Sequence, residues 1–301
     1  MVIHSFRFTI SLALSYLFIA AVLPELKRRL LDKPTARSSH IVPTPRGGGI
    51  AFVIVGSTLQ VCLTDGMIRW IPFICLPLAI VGILDDQYDL SPAWRYFVQI
   101  LTALGLLSMS NIIFPVWFIP ILIIIITAII NFINFMDGLD GLLGGCSSLM
   151  MAAASAWDIS GSIFGFLLWN WSPAKVFMGD VGSTFIGAVF AGFVLQQGSP
   201  QDALSLLFIG FPLFGDALIC VLRRLVAREN IFRPHRQHLY QRLNRAGWSH
   251  SGVASLYILA VFLLIMGRAI GGWNLLILLV LFEFLLGLVL DRKIAIKFED
   301  S

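Results

Sequence analysis

The sequence predicts an all-α, polytopic membrane protein with about 10–11 transmembrane helices and an active site on its cytoplasmic face. Three observations predict it. Of 301 residues, 58% are hydrophobic and 13% are charged, against about 25% charged in a soluble domain. Mean hydropathy is +0.88, so hydrocarbon is the main solvent of the fold. Lys and Arg crowd into alternate loops, as the positive-inside rule requires. No polar stretch is long enough for a second, soluble domain, so residues 1–301 read as one membrane domain.

Apolar runs place crossings at 8–25, 48–64, 67–84, 94–108, 113–134, 140–157, 159–172, 183–197, 203–222, 252–269 and 272–290. The first run lacks a small-residue cleavage site and leads into a basic segment, so no cleavable signal peptide is expected. The second follows PRGGG and the third ends at DD. The fifth contains IPILIIIITA and ends at NFINFMDGLDGL. The run at 159–172 falls short of the ~20 residues of a full span. It is kept because dropping it would put the later basic loop on the opposite side from the earlier ones. Cys62, Cys75, Cys146 and Cys220 lie in or beside apolar runs, with neither disulfide nor zinc spacing, and read as small core residues.

With the N-terminus outside, 18 of the 21 Lys and Arg fall in one set of loops; only Arg7, Arg69 and Arg268 fall in the other. The first set is cytoplasmic by the positive-inside rule. Its loops are 26–47, 85–93, 135–140, 173–182 and 223–250. The net charge of +4 is explained by these loops, and nucleic acid is not an expected partner.

Every dense polar cluster falls in this set. Asp85, Asp86 and Asp89 close the third span, and Asp85 and Asp89 share a face if the helix continues. Asn131, Asn134, Asp137 and Asp140 close the fifth. One aspartate there could N-cap the next helix, but two aspartates and two asparagines exceed that need. Asp180 sits in MGDVGS, either as another N-cap or as a ligand for a hard cation beside a helix N-terminus. Neighbouring carboxylates repel unless they share a cation or a proton, and Mg²⁺ takes one or two carboxylates plus substrate phosphates. Arg37, His40, Arg46, Arg95, Arg233, His235, Arg236 and His238 are the cations an anionic substrate requires. The last four could instead attract anionic lipid.

Together, PRGGG, DDQYD, NFMDGLDG, MGDVGS and RPHRQH resemble the motifs of the polyprenyl-phosphate N-acetylhexosamine-1-phosphate transferases, glycosyltransferase family 4. The resemblance covers most of the chain. It implies a UDP-N-acetylhexosamine and undecaprenyl phosphate as substrates, Mg²⁺ (or Mn²⁺) as cofactor, membrane lipids as surroundings, and room for a homodimer. It implies catalytic roles for Asp85, Asp86, Asp180, His235 and His238. Asp180 is the implied Mg²⁺ ligand, with Asp85 and Asp86 the acidic pair near the acceptor phosphate and the metal. Substrate contacts fall to Arg46, Arg95, Asn134, Asp137, Asp140, Asn170, Phe177, Ser183, Arg233 and Arg236. Phe177 would stack on uracil and Asn170 would reach the nucleoside. Gln237 departs from the pattern, standing where many N-acetylglucosamine enzymes carry a middle histidine. The HRQH form looks more like the O-antigen-initiating branch, some of whose members use 6-deoxy sugars, than like the muramoyl-pentapeptide branch with its triple histidine.

The reaction so implied gives polyprenyl-diphosphate-sugar and UMP and initiates a cell-envelope glycan. A transporter is the rival from another class, but its acids belong at mid-span rather than at one surface. A CDP-alcohol phosphotransferase motif would continue to an Ala-Arg pair, whereas this chain runs GLLGGCSSLMMAAA after Asp140.

Overall fold

The computed structural model describes residues 2–32, 34, 42–230 and 235–298. Helix α1 (Val2–Arg29) leads to a two-residue antiparallel ladder of β1 (Leu31–Asp32) and β2 (Thr44–Pro45). Helices α2 (Ile50–Leu63), α3 (Ile71–Tyr88), α4 (Pro92–Ser108), α5 (Ile119–Phe135), α6 (Leu142–Ala153) and α7 (Trp157–Asn170) follow. The chain ends with α8 (Asp180–Leu195), α9 (Pro200–Ile209), α10 (Phe211–Val226), the short α11 (Leu239–Arg245) and α12 (His250–Lys293).

This is a multi-pass membrane protein. Four helical segments are long and apolar enough to cross a bilayer: Val2–Arg29, Met67–Tyr88, Val116–Phe135 and His250–Lys293. Three of the expected crossings take unexpected forms. The run at 203–222 is divided between α9 and α10, which meet at 78°. Pro212, near the start of α10, has no N–H with which to continue the α9 ladder. The runs at 252–269 and 272–290 are joined as α12, but Gly272 breaks it with φ 59° and ψ −146°. That conformation suits a residue without Cβ. The arms fold back: Asp140 meets His250 at one end of α12, and Arg223 meets Asp291 at the other.

Helix α8 is the axis of the bundle. It is apolar on all sides, so it must be enclosed by other helices. Its residues from Val181 to Phe193 are all buried, and α3 and α5 are its main neighbours. The approach of α3 depends on Gly82, where a Cβ would come within 2.5 Å of the Asp180 carbonyl carbon. Small residues of this kind let membrane helices pack backbone to backbone. The contact brings the acidic end of α3 against the first turn of α8.

The far end of the bundle is tied by ion pairs. Arg7 Nε lies 3.1 Å from both carboxylate oxygens of the fully buried Asp158, and its Nη2 also meets Thr64 Oγ1. Arg268 lies 3.6 Å from Asp202, and the Arg69 guanidinium lies 5.0 Å from the Trp70 ring centre.

Candidate active site

Four segments converge at the N-terminus of α8. The end of α3 contributes Asp85 and Asp86, and the residue after β2 is Arg46. The end of α5 and its following loop bring Asn134, Asp137 and Asp140, and α8 begins with Asp180 and Ser183. They surround a cavity of about 250 Å³ whose lining includes Arg46, Asp86, Asp137, Asp140, Asn170, Phe177 and Asp180. Seven expected site residues therefore share one polar space.

Asp180 is the first helical residue of α8, and the N-cap position is Gly179. Asp180 is not its own helix's cap. Asp86, from α3, does that work: its Oδ1 accepts from the Asp180 N–H at 3.3 Å and its Oδ2 from the Val181 N–H at 3.5 Å. Gly179 has φ +74°, and a Cβ there would meet Asp86 Oδ2 at 2.4 Å. The Asp180 side chain is thus released for other partners. Asn134 Nδ2 donates to Asp180 Oδ1 at 2.9 Å and to Ser183 Oγ at 2.8 Å, and Arg95 Nη2 lies 3.5 Å from Asp180 Oδ2.

Asp85 faces a different recess. Its Oδ2 pairs with Arg95 Nη1 at 2.9 Å and its Oδ1 accepts from the Leu90 N–H at 2.8 Å. Asp85, Arg95, Gln99 and Asp180 line this recess. Asp180 borders both spaces, with Asp85 on one side and Asp137 on the other. Asp89 leaves the group. The helix stops at Tyr88, and Asp89 turns left-handed with φ 53°, so the shared face with Asp85 does not form.

Arg46 Nη2 donates to the Asp86 carbonyl at 2.6 Å, and its Nε lies 3.7 Å from Asp86 Oδ1. The Asp137 N–H donates to the Asn134 carbonyl at 3.2 Å, but its carboxylate makes no hydrogen bond among the described residues. Burial raises its pKa well above the ordinary carboxylate range, and the charges of Asp180, Asp86 and Asp140 add to the rise. Asp140 differs. Burial pushes its pKa up, but the His250 ring and the Ala174 N–H outweigh that and leave it lowered. His250 Nδ1 lies 3.3 Å from Asp140 Oδ2, and the Ala174 N–H donates to the same oxygen at 3.1 Å. Neither Asp137 nor Asp140 caps α6, whose N-cap is Gly141.

Asn170 is 4% exposed and braces the cavity wall. It accepts from the Gly141 N–H and donates to the Val176 carbonyl, each at 3.0 Å. The Phe177 backbone is fixed by the Pro45 carbonyl at 2.8 Å and the Gly48 N–H at 2.9 Å.

The RPHRQH loop lies elsewhere. Arg233, Arg37 and His40 fall outside the described residues. His235 and His238 stack with ring centres 5.0 Å apart, and His238 is buried 3.5 Å from Asp216. Neither histidine lines the acidic cavity, nor does Arg236. Cys220, His235 and His238 each offer a ligand atom within 4.8 Å of the others, a group able to hold a metal ion. Gln241 and His250, from the same stretch of chain, do line the cavity, as does Asp32. A polar residue at the start of an apolar helix is the signal that marks His250. Gln241 lies three residues after His238, inside a segment with no distinguishing pattern.

An aspartate-rich cavity built from helix termini lies in an apolar, multi-pass bundle, and the family and relatives that the chain matches make this integral-membrane protein a transferase. Residues 69–198 match the family described as glycosyl transferase family 4, and the chain belongs to that family. It is 31% identical over 275 residues to an undecaprenyl-phosphate alpha-N-acetylglucosaminyl 1-phosphate transferase of Thermotoga maritima, with 87% of this chain and 81% of that protein covered. It is 27% identical over 284 residues to a probable undecaprenyl-phosphate N-acetylglucosaminyl 1-phosphate transferase of Bacillus subtilis, covering 81% and 79%. A decaprenyl-phosphate N-acetylglucosaminephosphotransferase of Mycobacterium leprae is also 27% identical, covering 78% and 75%.

Proposed function

We propose that this protein transfers an N-acetylhexosamine-1-phosphate group from a UDP-sugar to undecaprenyl phosphate on the cytoplasmic side of a bacterial inner membrane. An oxygen of the polyprenyl phosphate attacks the β-phosphorus. The bond from that phosphorus to the bridging oxygen breaks, and the bridging oxygen leaves on UMP. The observation that carries this reading is the position of Asp180, which borders the polar cavity of about 250 Å³ on one side and the Asp85–Arg95 recess on the other.

The donor set fits a hard divalent cation. Asp137 has an uncommitted carboxylate, and Asp180 faces the same cavity. Oxygen donors of this kind suit Mg²⁺. Asp180 and Asp137 would hold it, because Asp85 and Asp86 are engaged by Arg95 and by the α8 N–H groups. Held there, Mg²⁺ would supply positive charge to the diphosphate and the departing UMP. Arg95 places positive charge beside the acceptor phosphate, and Arg46 beside the donor. A phosphate monoester has a second pKa of about 6, so the acceptor is largely dianionic at neutral pH. Asp85 then orients the phosphate through Arg95 rather than acting as an obligatory base. Asn134 fixes the Asp180 carboxylate. His238, at the N-cap of α11 and 3.5 Å from Asp216, acts as a positioning residue for that helix, with His235 stacked on it.

The relatives named for N-acetylglucosamine support this reading over the muramoyl-pentapeptide branch. The test is purified protein in nanodiscs with undecaprenyl phosphate, Mg²⁺ and a panel of UDP-N-acetylhexosamines, scored for UMP and for labelled lipid. UMP appearing in equal amounts with the lipid product is the expected result. No UMP from any donor would overturn the proposal.

A further inference from the structure

Among the polar side chains of the cavity that have no task in this mechanism are Gln241 and His250. Gln241 Oε1 is buried and has no hydrogen-bond partner among the described residues. A buried acceptor left open destabilises the fold unless something supplies the donor. The residue that carries it is held firmly. Asp216 accepts from the Leu239 N–H at 2.8 Å and the Tyr240 N–H at 3.0 Å. The Tyr240 hydroxyl donates to the Phe135 carbonyl at 2.9 Å, and Arg242 Nε to the Gln237 carbonyl at 3.1 Å. Helix α11 is therefore fixed to α10 and to the end of α5, with Gln241 presented to the cavity. His250 opens α12 beside it. Ser249 Oγ accepts the Gly252 N–H at 3.0 Å to set that helix start, and the His250 ring rests against Asp140.

We infer that Gln241, with His250 alongside, accepts a hydrogen bond from a neutral donor group of the UDP-sugar and sets which donor is used. The group is an N–H or O–H: the acetamide or a hydroxyl of the hexosamine, or the N3–H of uracil. A carboxamide oxygen suits such a group and repels a phosphate, so it belongs at one end of the donor, away from the diphosphate. A site built to receive an N–H or O–H rejects the analogue that lacks it far more strongly than an apolar pocket can. Gln237, the residue that departs from the family pattern, does not line the cavity. Its Nε2 lies 3.4 Å from Glu229 Oε1. Donor selection therefore falls to Gln241 rather than to Gln237.

The inference rests on the proposed reaction, and its test separates the two. Full-length wild type, Gln241→Met and His250→Gln are compared in nanodiscs with undecaprenyl phosphate and Mg²⁺. Gln241→Met keeps the volume and removes the acceptor. The donor KM is expected to rise at least tenfold in Gln241→Met, with the acceptor KM within twofold of wild type. A preference for UDP-N-acetylglucosamine over UDP-glucose that collapses in the variant supports the inference and identifies the sugar. Collapse of a preference over CDP-N-acetylglucosamine, whose base lacks N3–H, supports it and identifies the base. Should the variant turn over too slowly to assay, thermal protection by UDP-N-acetylglucosamine without acceptor replaces KM, and loss of protection supports the inference. An active wild type with unchanged donor KM and ranking in both variants overturns the inference alone. A wild type that releases no UMP overturns the reaction and the inference with it.

Discussion

The carboxylate of Asp86 receives the backbone N–H of Asp180 at 3.3 Å, so one aspartate of α3 caps the helix that begins with another. Loss of an N-cap acceptor costs roughly 0.5–2 kcal/mol. Asp86→Ala is expected to lower the melting temperature in detergent. Asp86→Asn, which keeps one acceptor oxygen, is expected to melt closer to wild type. Equal melting of Asp86→Ala and wild type would remove the capping role.

Asp180→Asn keeps the shape and the Asn134 contact but loses an anionic oxygen. Turnover is expected to fall at least a hundredfold, about 2.7 kcal/mol of transition-state stabilisation. Melting should stay near wild type, because the helix start is secured by Asp86. Near-normal turnover would move the metal ligand elsewhere.

Asp85 and Arg95 meet at 2.9 Å, so their substitutions should not be additive. Asp85→Asn and Arg95→Gln are each expected to reduce turnover, and the double variant to lose less than the product of the two. Because Asp85 orients the acceptor through Arg95, the Asp85→Asn defect should be nearly the same at pH 7 and pH 9. Strict additivity, or a defect that disappears as pH rises, would overturn this shared orienting role.

Asp137 titrates in the opposite sense to a salt-bridged carboxylate. Its folded pKa is raised, while an unfolded aspartate ionises near about 3.9. The unfolded chain releases a proton that the folded chain retains, so stability falls as pH rises from there through the raised folded value. Asp137→Asn is therefore expected to melt higher than wild type at pH 8 and to converge with it at pH 4, while losing transfer activity. Mg²⁺ should raise the melting temperature of wild type more than that of the variant. Asp140 has the reverse sign: its lowered pKa stabilises above about 3.9, and the contribution is lost as pH falls through the folded value.

Sidedness is open to labelling. In a chain freed of its own cysteines, Lys175→Cys is expected to resist an impermeant thiol reagent on intact cells. Ile113→Cys, at 96% exposed in a loop of the other set, should react. Reversal of the two would overturn the cytoplasmic assignment.

The acidic cluster was legible because charge inside an apolar chain is expensive and therefore conspicuous. Asp86, Asp137, Asp140 and Asp180 all stand out on that ground, and all reach one cavity. Their division of labour was not legible. Asp86 caps a helix 94 residues further along the chain, a pairing that no local spacing encodes. The Asp85–Asp89 spacing suggested a shared helical face, but it could not reveal that the helix ends between them in a left-handed turn. The histidines of RPHRQH were conspicuous as residue types, yet it is Gln241, from the same loop region, that faces the cavity. Asp216, whose carboxylate fixes that stretch, lies within an apolar run and gave no signal. The crossings were read from apolar length, which locates hydrocarbon but not bends. Pro212 and Gly272 therefore set the shapes of two crossings in ways that hydropathy alone does not convey.

The three arginines at the far end are each engaged: Arg7 by Asp158, Arg268 by Asp202 and Arg69 by the Trp70 ring. The two ion pairs carry little net charge across an electric field, while Arg69, whose partner ring is neutral, keeps its own. In the proposed orientation the transmembrane voltage, negative inside, therefore acts mainly on the unbalanced cations of the opposite loops. It is worth about 2.3 kcal/mol per elementary charge per 100 mV. The cell's own electrical gradient then helps hold the site toward the cytosol, and collapsing that gradient during insertion would weaken the orienting force without disturbing a packing contact.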